Sequence, residues 1–391
     1  MEYELNERLI VRNFGPITNL DIEIRPLTLF IGDQGSGKST VSKLLTICRD
    51  LRWWLRILEN AETDELKRPF FDFSIDEYFQ DDSYIEYHTN GHCVVYDKGL
   101  FSLHSSMWMK EDIEKYIAYC DAKLKHKGEM PKDEQIDEVS QAVLDANARM
   151  ILYILAERNL VGNLSEAIAS LWRADVPLSK PLLEYMSWFE NARHKLVPYN
   201  VPVFGVRFVK KNGTYRIELT DKEKDLPLKA CSSGLQSAIP MLMIIDYALQ
   251  TDSFDSFVIE EPEQNLFPEK QFEMLGFVTS RMWHPKQRQF IITTHSPYLL
   301  SSLNVMMLAY RLQQIDDVRE EAIKILVPGY TVNPDKVAVY SLNPNDAVYC
   351  KSLISEKTGM VSVNELDSVS EIIGDDFDRL YRLYVKTLKK K

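Results

Sequence analysis

A chain of 391 residues exceeds the usual single-domain size, so one large domain with an insertion, or two domains, is the starting expectation. Its 45% hydrophobic and 27% charged residues exclude a disordered chain, and no run approaches the roughly 18 apolar residues of a membrane span. A net charge of −12 disfavours nonspecific binding to nucleic acid, while five scattered cysteines without a CxxC pair argue against a disulfide framework or zinc site.

The opening MEYELNERLI lacks the basic start and apolar centre of a signal peptide, so a cytoplasmic protein is expected. Three short β-rich runs follow, RLIVRNF, LDIEI and LTLFIG, separated by the turn signals Gly15-Pro16 and Arg25-Pro26. After Lys38 the period changes. Val41, Leu44, Leu45, Cys48, Leu51, Leu55 and Leu58 recur every three or four residues, which predicts one amphipathic helix. Residues 84–103 alternate again around Asn90-Gly91, a two-residue hairpin turn. From about 107 to 198 the pattern is mainly helical, with a strand-like run at 150–159, MILYILAERN. This suggests a discontinuous core, 1–50 and 200–391, carrying a β-hairpin and helical insertion at 51–199 as a possible dimer or partner interface.

Regular core structure resumes with VFGVRFVKKNGTYRIEL, a hairpin tipped by Asn212-Gly213. A helix is predicted after Ser232-Ser233, with Pro240 in its first turn, then the buried strand FVI, a helix from Pro268 to Trp283, and the strand QFIITTHS. The remainder predicts strands at AIKILV and VAVYSL and a final helix around DDFDRLYRLYVKTL.

The sharpest chemical signal is Gly32-Asp33-Gln34-Gly35-Ser36-Gly37-Lys38-Ser39-Thr40, a GxxxxGK[ST] loop between a strand and a helix. Glycines let the N–H groups of Gln34, Gly35, Ser36, Gly37 and their neighbours turn toward phosphate oxygens. Lys38 reaches the outer phosphates, the Ser39 hydroxyl suits Mg²⁺, and the helix start adds positive potential. Asp33 is expected to point outward. The strand end FVIEE then offers Glu260 for the magnesium shell and Glu261 to orient or deprotonate the attacking water. His295, at the end of QFIITTHS, stands where a neutral imidazole could donate to the γ-phosphate. Ser233 and Gly234 begin a helix, a natural anion site.

Together GDQGSGKST, SSGLQ, VIEEPE and TTHS occur in the order Walker A, signature, Walker B and H-loop, and the chain resembles the ABC-type ATPases. More narrowly it is similar to their soluble branch, the RecF, chromosome-maintenance (SMC) and overcoming-lysogenization-defect (OLD) proteins. The resemblance implies an α/β P-loop NTPase fold, an ABC-type ATPase head with a mixed β-sheet core. It implies ATP and Mg²⁺ as cofactors, and two heads sandwiching two nucleotides in a homodimer or higher homo-oligomer. Lys38, Ser39, Glu260, Glu261 and His295 would then act in cis, and Ser233, Gly234 and Gln236 in trans. Leu235 in place of the second signature glycine, and Glu260 where aspartate is commoner, imply slow turnover. Similar standalone ATPases of bacterial anti-phage systems control a separate effector protein; a RecF-like repair ATPase that binds DNA is the rival, set back by the acidic charge.

Overall fold

The computed structural model describes residues 7–89, 91–105, 110–125, 151–164, 178–219, 225–283 and 286–362. Its centre is a six-stranded sheet in the order β15-β14-β3-β13-β12-β7, formed by β3 (Leu27–Ile31), β7 (Ile151–Ile154), β12 (Ser256–Glu260), β13 (Gln289–Thr294), β14 (Val337–Leu342) and β15 (Cys350–Ser352). Five strands run parallel and β15 closes one edge antiparallel. Every residue of β3, β12 and β13 is buried, which explains their unbroken apolar runs: a parallel sheet covered on both faces has no solvent side to alternate with. Leu29, Phe257, Ile259, Phe290 and Ile292 face one core, and Phe30, Val258 and Ile291 the other.

The first core is filled by α6 (Lys180–Leu196), α7 (Ser233–Gln250), α8 (Pro268–Arg281) and α9 (Pro297–Gln313). A four-stranded antiparallel sheet, β8 (Tyr199–Val201), β9 (Val206–Lys211), β10 (Thr214–Leu219) and β11 (Asp225–Leu226), adds Phe208 and Ile217. Asn212 and Gly213 both take positive φ at the β9–β10 turn, as that tight hairpin requires. The second core lies under α1 (Lys38–Cys48), α2 (Leu51–Leu58) and α3 (Thr63–Asp72) and a five-stranded antiparallel sheet, β2-β1-β4-β5-β6. Its strands are β1 (Glu7–Phe14), β2 (Ile17–Glu23), β4 (Phe79–Thr89), β5 (His92–Asp97) and β6 (Leu100–Ser105).

The single helix predicted from Lys38 to Leu58 is in fact two. Asp50 is extended and its side chain caps α2 through the Arg52 N–H, while Arg49 turns inward to a buried ion pair with Glu7. Glu7 also accepts from Tyr87 and Gln289, and Arg49 donates to Ser256, so this one cluster ties both sheets to the end of α1. A second correction concerns Pro240, which sits inside α7 and not in its first turn, because the helix already begins at Ser233. A third concerns AIKILV, which is no strand: α10 (Arg319–Ile325) takes up its start, and Ile325 and Val327 stay exposed.

Strands from the 51–199 region take part in both large sheets. β4 pairs with β1, and β7 pairs with β12 in parallel register. The helix α4 (Lys110–Lys125) and the short α5 (Val161–Leu164) belong to the same region, whereas the final helix expected around DDFDRLYRLYVKTL lies outside the described residues. Among the described residues no helix is long and apolar enough to cross a membrane.

Candidate functional site

Three loops leave the same edge of the central sheet, at the carboxyl ends of β3, β13 and β12, where ligands bind in open α/β sheets. β13 lies between the other two, and this order decides the geometry. His295, one residue past β13, reaches both neighbours: its Nδ1 is 3.4 Å from Lys38 Nζ and its Nε2 3.2 Å from Glu261 Oε1. With Lys38 an ammonium, Nδ1 accepts and the Nε2–H faces the carboxylate. The order of the strands thus places these residues together.

The phosphate loop is held by close approaches. A Cβ on Gly32 would lie 2.3 Å from the Leu342 carbonyl oxygen, and one on Gly37 would lie 2.4 Å from the Tyr349 hydroxyl. Gly35 and Gly37 also have φ of 78° and 96°, a region that disfavours side chains. The Tyr349 hydroxyl donates to the Ser36 carbonyl at 2.7 Å, so a residue from the sheet's far edge fixes the loop. Lys38 is buried and curls over the loop, donating to the Gly32 and Asp33 carbonyls at 2.8 Å. Burial pulls its ammonium down to about 8 against the opposing pull of Glu261, Asp33, Glu263 and Glu260. Gln34, Gly35 and Ser39 are exposed, Ser36 and Thr40 are buried, and Asp33 is exposed as its charge requires.

Glu260 and Glu261 are treated differently by the fold. Glu260, the last residue of β12, is 4% exposed, and its carboxylate lies beside the Ser39 and Tyr153 hydroxyls. Burial raises its pKa, with those two hydroxyls opposing. Among the described residues its Oε1 has no hydrogen-bond partner. A carboxylate oxygen left over beside the Ser39 hydroxyl is the hard-oxygen donor set that suits Mg²⁺, so the residues fit the ion. Glu261 is partly exposed and adopts φ 45°, unusual for a residue other than glycine or asparagine.

Glu263 is a further member that pattern reading passed over. It is buried, and its Oε1 accepts from Thr294 Oγ1 at 2.6 Å and from the His295 N–H at 3.1 Å. It therefore ties the acidic turn to the histidine turn. The only hint in sequence is a third glutamate in VIEEPE, which reads equally well as a solvated loop residue.

Ser233, Gly234 and Gln236 are not joined to this chain's phosphate loop. Ser233 is exposed at the start of α7. Gly234 is packed against the 263–266 turn, where a Cβ would lie 2.8 Å from the Asn265 carbonyl oxygen. The Gln236 amide donates to the carbonyls of Lys229 and Cys231 and so braces its own loop. Elsewhere, Glu86, His88 and Cys93 gather on the outer face of the five-stranded sheet by strand spacing. His88 and Tyr84 already hydrogen-bond the two Glu86 oxygens, and the group stands apart from the phosphate loop.

A glycine-cradled lysine at the head of a helix, acids at the end of a parallel strand and a histidine between them define a P-loop ATPase head. The sequence matches the family described as AAA ATPase domain over residues 7–169 and 159–300, and the chain belongs to that family. No curated protein matches it. Among solved structures it is similar to the Smc head domain of Pyrococcus furiosus with an extended coiled coil, bound to the C-terminal domain of ScpA. Identity there is 10%, over 94% of this chain and 100% of that one, with a TM-score of 0.43. The SMC head domain from Thermotoga maritima is 14% identical over 77% of this chain and 92% of that one, with a TM-score of 0.38.

Proposed function

We propose that this chain is an ATP-hydrolysing head that closes around ATP with a second copy of itself and uses that cycle to control a separate effector protein. The observation that carries the reading is the convergence of Lys38, Glu261 and His295 on one sheet edge. Lys38 would hold the outer phosphates. Glu260 and Ser39 would hold Mg²⁺, which when bound offsets phosphate charge. Glu261 would take the proton of the attacking water, with the His295 Nε2–H fixing its carboxylate.

Support for the second copy comes from Ser233, exposed at a helix start and unattached to its own phosphate loop. Residues 51–199 would meet the second copy or the effector. The acidic net charge supports a protein effector over direct action on DNA, and the resemblance to standalone defence ATPases supports a role in bacterial anti-phage immunity.

The test pairs two variants. Glu261→Gln keeps ATP binding, lowers phosphate release by roughly a hundredfold or more and accumulates an ATP-dependent dimer or larger assembly in light scattering. Ser233→Arg binds ATP as the parent does and stays unassembled. Parental turnover in the first variant would remove the base assignment, and normal ATP-driven assembly in the second would remove the trans contact.

A further inference from the structure

One fully buried arginine lies against the acidic turn. Arg158 is 0% exposed and sits in the short 156–160 turn that follows β7, the strand beside β12. Among the described residues no carboxylate forms an ion pair with it. Its guanidinium donates instead to three carbonyl oxygens, those of Leu155, Glu260 and Glu261. Burying a guanidinium without a counter-ion costs several kcal/mol before hydrogen bonding offsets it, so a plain core position would favour an apolar residue.

The two glutamate carbonyls explain the arrangement. Consecutive carbonyls of an extended strand point to opposite sides, out of reach of a single planar fork. Here Glu261 has φ 45°, which swings its carbonyl round to the side of the Glu260 carbonyl. The same bend turns the Glu261 side chain to His295. A left-handed conformation costs a residue with a side chain about 1 kcal/mol or more, and such strain persists only where the surroundings enforce it. The Glu261 N–H donates to the Thr293 carbonyl, the Gln264 N–H donates to the Glu261 carbonyl, and the Arg158 fork holds both glutamate carbonyls at once.

We propose that Arg158 is a positioning residue for ATP hydrolysis, a clamp that recognises the bent form of the 260–261 backbone and so aims the Glu261 carboxylate. It rests on the reading of Glu261 as the base. β7 and the turn after it both reach this strand end, since the Tyr153 hydroxyl, five residues before Arg158, lies beside the Glu260 carboxylate while Arg158 holds the backbone. The planar fork matters as much as the charge, because a lysine in its place presents one nitrogen to two acceptors.

The experiment compares Arg158→Lys and Arg158→Gln with the parent and with Glu261→Gln, measuring ATP affinity, kcat, KM and thermal melting on the full chain. Expected in both Arg158 variants is a kcat lower by roughly ten- to a hundredfold, the scale set by about 1 Å of misplacement, with ATP affinity and KM within about threefold. Combining either with Glu261→Gln lowers kcat little further, since both act through one carboxylate. Parental kcat in the Arg158 variants beside an inactive Glu261→Gln overturns the clamp alone. Turnover and ATP affinity falling together, or loss of the fold in both, marks Arg158 as a framework residue and overturns the clamp too. Parental kcat in Glu261→Gln itself sinks the underlying reading.

Discussion

The phosphate loop and the acidic turn face each other across His295, yet they are shaped by opposite means. In the loop the backbone does the shaping: glycines permit positive φ and close contact, and Lys38 closes on the Gly32 and Asp33 carbonyls beside it, with Leu342 and Tyr349 packed against the glycines from afar. In the acidic turn the restraints come from afar. Arg158 is about a hundred residues upstream of Glu260, and Thr294 and His295 are about thirty residues downstream of Glu263. The proposed phosphate-binding half of the site is thus legible largely from local sequence, whereas the proposed catalytic half takes shape only when the central sheet is assembled.

If that contrast is sound, damage to each half should have a distinct signature. Lys38→Ala is expected to have the largest effect outside the proposed base Glu261, weakening ATP binding by about a hundredfold, the upper range for a charged hydrogen bond, with an unchanged melting temperature. The same residue gives a pH test. A lysine with a pKa of about 8 in the free protein loses its proton above that pH and must regain it to meet phosphate. ATP affinity should therefore fall up to about tenfold per pH unit above 8. Equilibrium binding across pH 7 to 9.5 checks both, and a flat profile would remove Lys38 from the outer phosphates.

Glu263→Ala strikes the other half. It leaves the Thr294 hydroxyl and the His295 N–H without their acceptor, so stability should fall by about 2 kcal/mol and kcat should fall more than ATP affinity. Denaturant unfolding and steady-state kinetics test this, and equal losses in kcat and affinity would erase the distinction between the halves. Tyr349→Phe is the mildest change. It removes one hydrogen bond to the Ser36 carbonyl, about 1 kcal/mol, and is expected to raise the Kd for ATP a few-fold without changing kcat. An effect on kcat alone would show the loop and the turn to be mechanically coupled.

Much of the fold was legible because its signals are short-ranged. LTLFIG, FVI, QFIITT and VAVYSL read as strands from apolar or β-branched runs, and Asn212-Gly213 marked its hairpin. The misreadings share a cause. AIKILV has strand composition, yet its first four residues end α10, which packs against α9 and leaves Ile325 in solvent. The helix break at Asp50 could not be read from periodicity, because Leu51, Leu55 and Leu58 continue the spacing while Arg49 is drawn to Glu7, forty-two residues away.

The phosphate loop, the two glutamates ending a buried strand and the histidine ending its neighbour are all marked in the sequence, because each depends on residue type within a few positions of a strand end. Only the tertiary structure decided that β13 lies between β3 and β12, so that one imidazole spans Lys38 and Glu261. It alone also revealed Arg158, Glu263 and Tyr349. The physical reason is that these residues act on backbone groups, and a carbonyl or N–H, present in every residue type, leaves no mark in the sequence for a distant partner to match.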